Sequence, residues 1–163
     1  MNARKLTQLA MLTGIALIIF VIELQIPNPF SIPGIKLGLA NIITVYAVYH
    51  CRAGEVMMIV FCRIFLAAVF SGNMMALAYS FAGSVLCLAG MLLLRKIIDK
   101  NHIWIASVFG GILHNTGQIM IAVLIMGTST LIYLPFLLVS GCLAGAFTGI
   151  ITQLIIQKLK QPK

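Results

Sequence analysis

Apolar runs near residues 6–26, 37–50, 54–70, 73–94, 104–126 and 131–157 follow one another along the chain, with only short connectors between most of them. An α-helix adds about 1.5 Å per residue, so crossing a hydrocarbon layer of roughly 30 Å takes about 20 apolar residues. Within that layer backbone N–H and C=O groups must be satisfied inside the protein, which leaves helices as the natural fold for such runs. The expected fold class is all-α: an integral membrane bundle of six transmembrane helices, forming one transmembrane domain over residues 1–163. The second and third runs are short for a full crossing, and five spans are the alternative.

Composition points the same way, with 61% hydrophobic and only 9% charged residues and a mean hydropathy of +1.11. These values lie well outside the range of soluble domains. The net charge of +8 is explained by topology rather than by nucleic acid, because the basic residues sit at the ends of apolar runs. With the N-terminus in the cytoplasm, Arg4, Lys5, Arg52, Arg95, Lys96, Lys100, Lys158, Lys160 and Lys163 all fall inside, nine of the eleven cations. The positive-inside rule therefore favours both termini in the cytoplasm, in a multi-pass protein of a bacterial plasma membrane. The first run is too long for a signal peptide and no small-residue cleavage site follows Glu23, so it is expected to remain attached. Cys51, Cys62, Cys87 and Cys142 show no ligand or disulfide spacing and read as small apolar residues.

The stretch 25–34, QIPNPFSIPG, holds three prolines and a glycine and cannot continue a helix. It reads as an outer loop, either a lid or a rigid connector. Gly141, Gly145 and Gly149 recur every four residues on one face of the last helix, as expected where helices pack closely. Ala10 and Gly14 share that spacing on the first helix, where the face could instead serve a second membrane protein.

Polar side chains inside apolar runs need a reason, since an ionisable group in hydrocarbon costs several kcal/mol unless paired or hydrated. Those present are Glu23, Asn41 about one turn below the outer end of the second helix, Arg63 near mid-membrane, and His114 with Gln118 one turn further out. Lys36 lies at the outer side. Together they describe an outward-facing pocket in which Glu23, Lys36, Asn41, Arg63, His114 and Gln118 bind or gate a small solute. Arg63 and Lys36 would face its negative groups, and His114 and Gln118 would orient it. His114, Gly117 and Gln118 share one helical face with Gly117 leaving space, whereas Asn115 points about 100° away, toward a neighbouring helix. The competing reading makes these residues interhelical hydrogen-bond glue, with Arg63 paired to Glu23. The positive lean of the set favours an anionic or zwitterionic solute.

Covalent chemistry finds little support. The three acids, Glu23, Glu55 and Asp99, are far apart in sequence, whereas a prenyl-diphosphate synthase needs aspartate-rich clusters to hold magnesium against diphosphate. No catalytic triad, phosphate loop or metal motif is legible. The chain is expected to be no enzyme and to use neither metal nor cofactor, its partners being membrane lipid and a small-molecule solute, without nucleic acid.

The run Lys36-Leu37-Gly38-Leu39-Ala40-Asn41-Ile42-Ile43 after a Pro-Gly loop, Arg63-Ile64 with Gly72, His114-Asn115-Thr116-Gly117-Gln118 and Tyr133-Leu134-Pro135 together resemble the Gx transporter family, also catalogued as heptaprenyl diphosphate synthase component I. The resemblance covers nearly the whole chain. It implies a fold similar to the S-components of energy-coupling factor transporters: six helices, termini inside, and an outward pocket capped by the loop after the first helix. It also implies docking, through small residues of the first helix matched here by Ala10 and Gly14, onto a transmembrane coupling subunit carrying two cytoplasmic ATPase subunits. A membrane accessory subunit of a polyprenyl-diphosphate synthase or of quinone synthesis is the alternative. An autonomous proton-coupled carrier is a third reading, disfavoured because no internal repeat is visible.

Overall fold

The computed structural model describes residues 2–25, 38–72, 74–99 and 101–160. Six α-helices form the bundle: α1 Ala3–Gln25, α2 Asn41–His50, α3 Ala53–Ser71, α4 Met74–Leu94, α5 Ile103–Met126 and α6 Leu134–Lys160. A 3-10 turn over Thr128–Tyr133 leads into α6, whose first turn accepts Pro135 because no intrahelical N–H is needed there. Among the described residues there is no strand. Five helices are long and apolar enough to cross a membrane, and the protein is a multi-pass membrane protein.

The exception is α2. The apolar run 37–50 predicts a helix of that length, but the helix begins only at Asn41 and spans 10 residues, about 15 Å or half the hydrocarbon thickness. Asn41 is its first residue, not one turn inside it. The cause is Gly38, whose φ of 71° breaks the helical path. The turn that follows is closed by Asn41 N–H donating to Gly38 O at 2.9 Å and Ile42 N–H to Leu39 O at 3.1 Å.

Side-chain contacts fix the relative directions of the helices. Lys5 Nζ lies 3.2 Å from Glu55 Oε2, so α1 and α3 start at the same end. Arg95, just past α4, donates to Val48 O at 2.8 Å and Cys51 O at 3.2 Å, bringing the end of α4 to the end of α2. α5 and α6 then run antiparallel, Ser107 and Thr148 sharing a hydroxyl hydrogen bond of 3.1 Å. The start of α1 and the end of α6 therefore lie at one end of the bundle, the end where Arg4, Lys5, Arg52, Arg95, Lys96 and Lys158 also lie.

Close packing is concentrated in α4, α5 and α6. A Cβ on Gly145 would stand 2.6 Å from Ser107 O, one on Gly149 2.6 Å from Trp104 Cα, and one on Gly111 2.3 Å from Gly141 O. Glycine is what lets these backbones meet, and the packing role expected of Gly141, Gly145 and Gly149 is the one observed. Gly117 serves the same purpose: its Cβ would stand 2.7 Å from Ala82 O on α4. Instead of opening space beside His114 and Gln118, it seats α5 on α4. The opposite face of α6 turns Leu143, Phe147, Ile150 and Leu154 outward, the apolar surface that lipid requires.

Candidate functional site

The inward stripe of each helix carries the polar side chains into the bundle. On α1 the buried residues are Leu9, Ala16 and Glu23, spaced by seven and hence on one face. On α3 they are Val56, Ile59, Val60, Arg63, Ile64 and Ala68, a helical stripe that includes the cation. Arg63 lies two turns beyond Glu55, about 12 Å along α3 and deep in the apolar layer. Glu23 and Arg63 are each only 8% exposed.

These residues surround one cavity of about 110 Å³, which Glu23, Asn41, Arg63, His114 and Gln118 all line. Lys36 and the loop 26–34 lie outside the described residues. Asn115 faces α6 as its angular offset predicts, its amide donating to Leu137 O at 2.5 Å and Ser140 Oγ at 3.3 Å. Even so, it borders the cavity. The His114 ring lies against the α4 backbone at Gly83, where a Cβ would come within 3.0 Å of ring Cε1 and Nδ1.

The first turn of α2 organises the charged part of the site. Gly38 N–H donates to Glu23 Oε1 at 2.5 Å, and Arg63 Nη1 donates to Asn41 Oδ1 at 3.2 Å. α2 starts in the interior, and its N-terminal end, where the peptide dipoles point positive, meets the cavity. Among the described residues the ion pair formed is Lys5–Glu55, so Glu23 and Arg63 do not pair directly, whereas Arg63–Asn41 and Asn115 with α6 are interhelical hydrogen bonds.

Several lining residues escape a reading by hydropathy. Thr44, one turn into α2, is 5% exposed and borders the cavity. Its hydroxyl has no hydrogen-bond partner, and neither does Gln118 Oε1. Thr44 could have been found from its position three residues after Asn41, on the same helical face. Thr148 and Ser107 complete the inner wall on α6 and α5. Among the described residues no group of three His, Cys, Asp or Glu side chains is arranged to hold a metal ion, and Cys51, Cys62, Cys87 and Cys142 are free thiols.

A family model described as heptaprenyl diphosphate synthase component I matches residues 12–155, from the third turn of α1 nearly to the end of α6. The chain belongs to that family. No curated protein and no solved structure is significantly similar to it. The heptaprenyl diphosphate synthase component I name speaks of one component of a synthase, and the match takes in every described residue of the cavity.

Proposed function

We propose that this chain is the substrate-capturing subunit of a membrane uptake system, resembling an S-component, which takes a small solute from outside and passes it inward with an ATP-driven coupling module. The observation that carries this reading is the cavity itself, with buried Glu23 and Arg63 on its wall and two unpartnered polar atoms, on Thr44 and Gln118, among its lining residues. Groups so costly to bury are expected where a polar solute replaces water. At roughly 10–15 Å³ per water, the space suits a solute on the order of ten non-hydrogen atoms. In this reading the basic end of the bundle faces the cytoplasm of a bacterial cell, and Ala10 and Gly14 belong to the docking face. Ala10 is exposed on α1 and a Cβ on Gly14 would meet nothing within 4 Å, which leaves room for a partner at both positions.

The second reading, an accessory subunit of a polyprenyl-diphosphate synthase, is favoured by the family's name. A long polyprenyl chain does not fit a cavity of this size, and the three acids are dispersed: Glu23 in the cavity, Glu55 paired with Lys5, and Asp99 beyond α4. The chain would then lend the synthase an anchor and not an active site. Affinity purification from native membranes, with mass spectrometry of co-purifying proteins, separates the two. An ATPase pair with a membrane coupling subunit supports uptake, whereas a prenyl synthase catalytic subunit supports the anchor. If Arg63→Ala and His114→Ala both leave solute retention unchanged, the cavity is not the binding site.

A further inference from the structure

Two opposite charges buried in one cavity ordinarily find each other, because an ion pair recovers part of the desolvation that each ion otherwise loses. Here they are kept apart. Glu23 is held by the Gly38 amide and Arg63 by the Asn41 side chain, so each charge is bonded to the turn that leads into α2 and not to the other. Asn41 Oδ1 is the one acceptor that Arg63 has among the described residues, for five N–H donors. On the wall of the same cavity Thr44, 5% exposed, carries a hydroxyl able to donate, and Gln118 carries a carbonyl oxygen able to accept, both without partners.

The donors, Arg63 and Thr44, therefore match an oxyanion, and the acceptors, Glu23 and Gln118, match a cationic N–H group. We infer that the captured solute is a small zwitterion, with a carboxylate at Arg63 and Thr44 and a protonated amine at Glu23 and Gln118. This rests on the solute-capture reading and adds its chemical class. Among the described residues, a solute with only a negative group would leave Glu23 without a cation and repelling it. One with only a positive group would do the same to Arg63. A zwitterion satisfies both and adds no net charge to the apolar layer, where a net charge is most expensive. The size of an amino acid also suits a cavity of about 110 Å³.

The test uses the full chain purified from native membranes in mild detergent. Native mass spectrometry with fragmentation identifies retained small molecules, and thermal unfolding is measured with the protein amino acids, their deaminated acids and their decarboxylated amines as probes. The expected result is a retained molecule bearing both groups, or a raised unfolding temperature with an amino acid and not with its acid or amine. Retention should fall at least tenfold in both Arg63→Gln and Glu23→Gln. Thr44→Val, nearly isosteric, should lower retention severalfold with an unchanged unfolding temperature, which separates lost recognition from lost folding. A retained solute with one charge or none, or equal stabilisation by acid and amino acid, overturns the zwitterion and leaves solute capture standing. Absence of any retained molecule and of any shift overturns both.

Discussion

Replacing Gly145 by alanine tests the packing that shapes the cavity wall. The added Cβ would lie 2.6 Å from Ser107 O and 2.7 Å from Val108 Cα, whereas ordinary contact begins near 3.4 Å. Both obstacles are backbone atoms and cannot swing aside, so α6 must retreat from α5 by about 0.8 Å. That displacement carries the Ser107–Thr148 hydroxyl pair, now 3.1 Å apart, beyond hydrogen-bond reach. Overpacking of this kind costs about 1–3 kcal/mol, and a lost interhelical hydrogen bond in a membrane bundle about 0.6–1 kcal/mol more. The helix propensity gained by exchanging glycine for alanine returns about 1 kcal/mol. The net expectation is a loss of about 1–3 kcal/mol, or roughly 5- to 150-fold in the folding equilibrium. Gly14→Ala is the matched control, because nothing lies within 4 Å of its Cβ and only the propensity term operates, so its sign is opposite. Unfolding in detergent can be followed through the fluorescence of Trp104, the single tryptophan, whose backbone packs against Gly149. Should Gly145→Ala unfold at or above the wild-type midpoint, the close α5–α6 approach would be refuted.

Three further outcomes are expected. Ala10→Leu and Gly14→Leu should reduce uptake by whole cells at least tenfold while solute retention and the unfolding midpoint of the isolated chain stay at wild-type values; loss of retention would remove the docking role. Asn41→Asp places a carboxylate beside Arg63, and it should raise the unfolding midpoint of the empty protein while weakening solute retention at least tenfold; tighter retention would show that Arg63 does not receive the solute's anion. Arg95→Ala removes two charge-assisted bonds to the C-terminal carbonyls of α2 and should cost about 1.5–3 kcal/mol in thermal unfolding, with lysine failing to restore it because one ammonium cannot reproduce the guanidinium geometry.

The amino-acid sequence by itself determined the all-helical membrane class, because a segment's hydropathy and length decide whether lipid can surround it, and both are local properties. It also determined that Glu23, Arg63, His114 and Gln118 would face inward, since each continues an apolar helix through surroundings that tolerate no exposed charge, and that Gly141, Gly145 and Gly149 would meet a neighbour. What only the tertiary structure decided depends on partners distant in the chain. Gly38 reads as one more residue of an apolar run until its amide is seen to meet Glu23, 15 residues earlier, and its positive φ leaves α2 a half-helix beginning inside the bundle. Gly117 reads as empty space until the α4 backbone is found to fill it. Thr44 reads as an ordinary helix residue, because a hydroxyl usually finds a backbone carbonyl one turn back, and only the packed bundle leaves it buried without one. Helix faces follow from periodicity, but the separation of Glu23 from Arg63 follows from how four helices and one turn fit together, which periodicity does not encode.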